Sequence, residues 1–131
     1  MKGNVIVDKS FGCAVKLVGL YKKLSTDKRE FVLSKQLLRS STSIGANIKE
    51  AVGGVSRKGF IAKLHIACKE SRETQYLIKL LIETRYLEEI DTSALVIDLE
   101  EIRKYWHPSF IPLNVAVELF IFLIIKKWCI F

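Results

Sequence analysis

The sequence predicts an all-α fold: an up-down-up-down antiparallel four-helix bundle with an atypical apolar C-terminal tail. Three observations carry that expectation. Apolar residues recur at helical spacing through successive long segments. No proline precedes Pro108, so nothing interrupts a helix before that point. The breaks between periodic segments are short and polar or glycine-rich, which makes consecutive helices antiparallel neighbours. Half of the 131 residues are hydrophobic, enough to build a core and too many for disorder. The length fits one domain, here 1–104, with 105–131 as the tail.

The first helix is expected over about 8–24. Phe11, Ala14, Val15, Val18 and Tyr21 fall at helical spacing, Leu17, Leu20 and Leu24 widen that face, and Lys9, Lys16 and Lys23 lie opposite. Ser25, Thr26 and Asp27 are the expected N-caps of a second helix over about 28–52. Its seam is Leu37, Ser41, Ile44, Ile48 and Ala51, and Gly53-Gly54 ends it. Ser56 is the expected cap of a third helix that runs to Tyr86 or Leu87, with Phe60, Leu64, Ala67, Ser71, Ile78 and Leu81 as its stripe. Asp91 or Thr92 is expected to cap a fourth, with Leu95, Val96, Leu99 and Ile102 turned inward.

The run Ser40-Ser41-Thr42-Ser43 followed by Gly45 resembles a phosphate loop at first sight. It lacks that motif's glycine spacing, its preceding strand and its terminal Lys-Ser/Thr. The run sits within an unbroken helical pattern, where hydroxyls bond back to carbonyls one turn earlier and small side chains let helices approach. Arg39, Ser43, Asn47 and Glu50 share that rhythm on a neighbouring face. A turn at Gly53-Gly54 folds the third helix back and places Arg39 opposite Glu70 and Glu73 as an ion pair.

Charge is divided unevenly along the chain, whose formal net charge is +7. Residues 1–82 carry 16 Lys/Arg against 6 Asp/Glu, whereas 83–131 carry 5 against 8. A basic body points to a polyanion such as RNA; the competing reading is a surface whose lysines only solubilise. The candidate phosphate contacts are Lys28, Arg29, Lys35, Lys49, Arg57, Lys58 and Lys63. No aromatic platform accompanies them, so base-specific reading is not implied. His65 and His107 have no neighbours at metal-ligand spacing, and nothing marks a nucleophile, so no metal, cofactor or enzymatic activity is expected. Cys13, Cys68 and Cys129 lack CxxC spacing and read as reduced thiols of a cytoplasmic protein. The N-terminal residues show no secretory signal.

Two stretches, "FVLSKQLLRSSTSIGANIKEAVGG" and "FIAKLHIACKESRETQYLIKLL", resemble the four-helix 23S rRNA intervening-sequence proteins. One branch reads approximately S-K-Q-L-L-R-S-G-T-S-I-G-A-N-I-x-E-A, matched here by 34–40, 42–48, Glu50 and Ala51. Its third helix reads approximately F-I-x-K-x-x-I-A-x-K-E-x-x-E-T-x-Y-W-L. Phe60, Ile61, Lys63, Ile66, Ala67, Lys69, Glu70, Glu73, Thr74 and Tyr76 match that pattern. Ser41 replaces a glycine, and Leu77-Ile78 replaces Trp-Leu. The resemblance covers about 8–103 and makes Arg39, Ser43, Asn47, Glu50 and Glu73 the family-motif face. It implies a bacterial cytoplasmic protein whose relatives are often encoded within an insertion in the large ribosomal RNA gene. It also implies ring-like homopentamers, and a related bundle acts as the RNA-binding accessory of diversity-generating reverse transcriptases.

After Lys104 the resemblance predicts that the fourth helix continues as Ile-Leu-Thr/Ala-Ser-Ile-Ile. The chain instead reads "YWHPSFIPLNVAVELFIFLIIKKWCIF". Shifting the frame back one base permits Ile-Leu-Ala-Ser-Ile-Ile, with a stop at the Val117/Glu118 junction. We therefore read 105–131 as frameshift-derived, which the codons of the gene decide. A packed apolar segment ranks second. A membrane anchor ranks last, because 115–125 is about half the ~20 residues a span needs and contains Glu118. The function expected is a non-enzymatic oligomeric bundle that binds structured RNA through a basic surface; the alternative is a protein-interaction scaffold without nucleic-acid binding.

Overall fold

The computed structural model describes residues 4–104, which form four helices: α1 (Val5–Thr26), α2 (Leu33–Gly53), α3 (Arg57–Glu83) and α4 (Glu89–Lys104). Among the described residues there is no strand. The tail 105–131, with its frameshift, packing and membrane-anchor readings, lies outside the described residues.

Each helix has its backbone close to two others, α1 to α2 and α4, and α3 to α2 and α4, with the remaining pairs set diagonally across the core. Bond register gives the directions. Lys9, Lys16 and Lys23 of α1 pair with Glu101, Asp98 and Asp91 of α4, so these helices run antiparallel. Arg39 reaches Glu73 while Glu50 reaches Lys63, so α2 and α3 do too. Ser10 lies against Gly45 and Leu24 bonds Glu30, so α1 and α2 complete the alternation. The core between them holds Leu17, Leu24, Leu37, Ile44, Ile48, Ile78, Leu81, Leu99 and Ile102, all buried.

The expected seams of α2, α3 and α4 are found, and that of α1 needs correction. The core side of α1 is Cys13, Leu17, Leu20 and Leu24, whereas Phe11 is 70% and Val15 57% exposed. The apolar arc of α1 is wider than one helix can bury, and the leucines take the interior.

Helix ends also differ from expectation. α1 begins earlier than residue 8, because the Asn4 side chain accepts hydrogen bonds from the Ile6 and Val7 amides. α2 does not begin at Lys28, and Ser25, Thr26 and Asp27 do not cap it. Glu30 does, its carboxylate accepting from the amides of Val32 at 3.1 Å, Leu33 at 2.9 Å and Ser34 at 2.6 Å. Lys28 and Arg29 thus sit in the preceding turn, Arg29 left-handed at φ 51°. Ser56 caps α3 as expected, its Oγ accepting from the Gly59 amide at 3.0 Å.

α3 ends at Glu83, short of Tyr86. The Tyr86 amide bonds to the Leu81 carbonyl and the Arg85 amide to that of Ile82, the Schellman closure with Arg85 at φ 64° where glycine is usual. Asp91 and Thr92 lie inside α4, not before it. Asp91 joins Glu89 in the acidic first turn and pairs with Lys23, while the Thr92 hydroxyl donates to the Glu89 carbonyl. The α2–α3 turn uses Gly54 in an extended conformation; a Cβ there would stand 3.3 Å from the Glu50 carbonyl oxygen.

Cys13 is a buried free thiol whose pKa is raised to about 11, chiefly by burial and further by nearby Asp98, against an opposing effect of Lys16. Cys68 is buried too but is not free, so the expectation of a reduced thiol holds at Cys13 and not there.

Candidate nucleic-acid interface

The hydroxyl run is the middle of α2, as the pattern predicts. Ser40 and Ser41 donate to the Leu37 and Leu38 carbonyls at 3.2 and 3.1 Å, and Thr42 donates to Leu38 at 2.8 Å. Ser40 and Ser41 are buried, and the Thr74 hydroxyl of α3 bonds Ser40 Oγ across the interface at 2.9 Å. Small polar side chains, with Ser40, Ser41 and Thr74 satisfied in this way, let α2 and α3 pack closely. Ser71 Oγ of α3, also buried, has no hydrogen-bond partner among the described residues.

Beside this seam the family-motif face is drawn together by ion pairs. Arg39 Nη2 donates to Glu73 Oε1 at 2.6 Å, and Nη1 stands 3.3 Å from Glu70. These carboxylates, Glu73 first, raise the Arg39 pKa. Glu70 is buried, and its Oε1 accepts a hydrogen bond from Arg39 Nη1 at 3.3 Å. Its Oε2, without a hydrogen-bond partner among the described residues, makes only the ionic contact with the same group. Asn47 Nδ2 donates to the Ser43 carbonyl at 2.8 Å and to Ser43 Oγ at 3.0 Å, both within α2. Glu50 pairs with Lys63 at 2.7 Å. This ladder fastens two helices: its carboxylates are committed to cations. Among the described residues no three His, Cys, Asp or Glu side chains are grouped to hold a metal ion. Half-buried His65 has its pKa lowered by burial.

The seven candidate cations do not form one patch. Lys28 and Arg29 occupy the α1–α2 turn, and Lys35 the first turns of α2, at one end of the bundle. Lys49 near the end of α2, with Arg57, Lys58 and Lys63 at the start of α3, lies at the other. From Lys35 to Lys49 the rise of α2 is about 21 Å. All are exposed except Lys63, which is half-buried and engaged by Glu50. Between the two groups the exposed outer face of α3 presents Lys69, Tyr76 and Lys79, which lie away from the helix starts and turns where the expected cations cluster. Their helical spacing with Lys58 was the signal that identifies them as one face.

By element, α2 and α3 together hold nine Lys/Arg against four Asp/Glu, whereas α4 holds two against five. On α4, Asp91 and Asp98 are paired with Lys23 and Lys16 of α1 and raise the pKa of each. α1 is basic too, with four lysines against Asp8, but Lys9, Lys16 and Lys23 are paired with carboxylates of α4. Beyond those pairs the cation excess lies on α2 and α3, and the acidic helix is α4.

Comparison with known proteins agrees with this architecture. A solved protein of unknown function from the S23 ribosomal protein family of Bacteroides thetaiotaomicron is 51% identical. The match covers 76% of this chain and 93% of that one, with a TM-score of 0.74. Comparison with curated proteins gave no match. The model of the 23S rRNA-intervening sequence proteins matches residues 2–107, which take in all four helices. The chain belongs to the 23S rRNA-intervening sequence protein family.

Proposed function

We propose that this chain is a non-enzymatic, homo-oligomeric cytoplasmic protein that binds structured RNA through exposed cations of α2, α3 and the α1–α2 turn, without a cofactor. The observation that carries this reading is the charge division: three of α1's four lysines are paired with the carboxylates of α4, while α2 and α3 hold nine Lys/Arg against four Asp/Glu. The family's name links it to ribosomal RNA, and the resemblance to ring-forming relatives makes a homopentamer the expected assembly.

The two basic groups, with Lys69 and Lys79 between them, suit a folded RNA that presents phosphates over a wide span better than a short single strand. Contacts of this kind position a backbone and read little sequence. Lys63, held by Glu50, contributes least. Tyr76, 65% exposed, is the one large aromatic on the outer face of α3 among the described residues.

Charge reversal tests the reading. Lys58→Glu with Lys69→Glu changes only exposed side chains, so helicity and melting should hold while affinity for structured RNA falls by about tenfold or more. Unchanged affinity in a folded double variant contradicts the proposed surface.

A further inference from the structure

The apolar residues that α1 leaves outside the core make a surface of their own. Val7, Phe11, Ala14 and Val18, at steps of four, three and four, form one wall of an open groove of about 790 Å³ between α1 and α2. Across it α2 contributes Thr42, Gly45 and Ala46, small residues that leave the floor low. At Gly45 the helices are close: a Cβ there would stand 3.5 Å from the Ser10 carbonyl oxygen. Lys22 and Lys49 stand on the rim with Asp8, and among the described residues neither lysine makes an ion pair.

A second apolar feature lies on α4. Ile90, Ala94 and Ile97, at steps of four and three, project outward, the isoleucines 81% and 56% exposed. Exposed Glu89 and Glu100 flank them, and exposed Lys104 stands at the far end of the stripe, two turns past Ile97. One face is thus an apolar trough with ammonium groups on its edge, and the other an apolar ridge with carboxylates beside it.

We propose that the α1–α2 groove of one copy seats the α4 ridge of a second copy. This rests on the homo-oligomeric part of the function proposed above and goes beyond it by assigning the two faces. Charge chooses the pairing. Groove against groove would oppose a net excess of ammonium groups, Lys22 and Lys49 against the single carboxylate Asp8 on each copy. Ridge against ridge would oppose Glu89 and Glu100 to their counterparts; groove against ridge joins apolar to apolar and sets the ammonium excess against the carboxylates. Such a contact joins different faces, so each copy offers one of each, and repetition closes a ring or extends a filament. Lys49 is then shared between the two surfaces, while the outer face of α3 with Lys58, Lys69 and Lys79 stays open to RNA.

The experiment uses the full chain and measures mass in solution. Phe11→Glu with Ala46→Glu disables the groove, and Ile90→Glu with Ile97→Glu disables the ridge; all four positions are exposed. Wild type should assemble, and each double variant should be monomeric with unchanged helicity, its melting lowered only by the concentration-dependent stabilisation that assembly confers. An equimolar mixture of the two variants should give dimers and nothing larger, because one intact groove meets one intact ridge. Variants that assemble like wild type overturn the assignment of faces while leaving oligomerisation standing. Monomeric variants that form no dimer on mixing overturn the groove-to-ridge pairing. A wild type that is monomeric at every concentration overturns the oligomeric reading itself. Should a double variant unfold, Lys49→Glu and Glu100→Lys decide: each alone should weaken assembly about tenfold, roughly 1.4 kcal/mol, and the two together should restore it. Failure of that restoration overturns the pairing.

Discussion

Glu30 determines where α2 starts, and it does so as a charge. Burial pushes its pKa up, but hydrogen bonds from the Leu33, Ser34 and Val32 amides and the Ser34 side chain prevail and hold it below the ordinary 4.5. A carboxyl depressed on folding stabilises the fold above its unfolded value, and that contribution is lost as pH falls through the folded value. Glu30→Gln should therefore cost about 1 kcal/mol near neutral pH, the usual worth of a helix cap. The gap between variant and wild-type melting should close as pH is lowered from about 6 to about 3. Arg39 and Glu73 make a second test at this scale. Their bond is 2.6 Å long, but the Arg39 side chain is 56% exposed, so solvent screens it. A double-mutant cycle of Arg39→Ala and Glu73→Ala should give a coupling of about 0.5 to 1 kcal/mol. Simple additivity would show that the two do not act as a pair.

Among the elements, α1 separates apolar character from burial most clearly. Phe11 and Leu17 are both large and apolar, yet Leu17 is fully buried and Phe11 is 70% exposed. Leu17→Ala should cost about 2 to 5 kcal/mol by thermal or denaturant unfolding, whereas Phe11→Ser, measured in protein dilute enough to be monomeric, should stay within about 0.5 kcal/mol. Equal losses would place Phe11 in the core. The same helix marks how far the sequence could be read. Periodicity sufficed for α2, where seam and polar face are distinct, and for the Arg39 contact with α3, because one short turn fixes the register. It failed for α1, whose apolar arc spans both a core side and an outer side that only packing distinguishes. It also failed at the start of α2 and the end of α3. There a carboxylate three residues ahead and an arginine in a left-handed turn take the places where propensity expects Ser, Thr, Asp or Gly. The candidate cations were legible as residues and not as a surface, since their division between two ends follows from the helix lengths and turns.

At the scale of the molecule, the square arrangement turns a linear charge bias into a lateral one. The sequence is basic early and acidic later, and folding brings α4 against α1, where three lysines meet three of its carboxylates. In the proposed function the cations of α2 and α3 are the side that meets a polyanion. Among the described residues no helix is long and apolar enough to cross a membrane. The most direct measurement is the affinity of the full chain for a structured RNA across a salt series. Log affinity should fall linearly with log salt, with a slope corresponding to several phosphate contacts at about 0.7 to 0.9 per contact. Absent binding, or binding indifferent to salt, would contradict an RNA interface built from these cations.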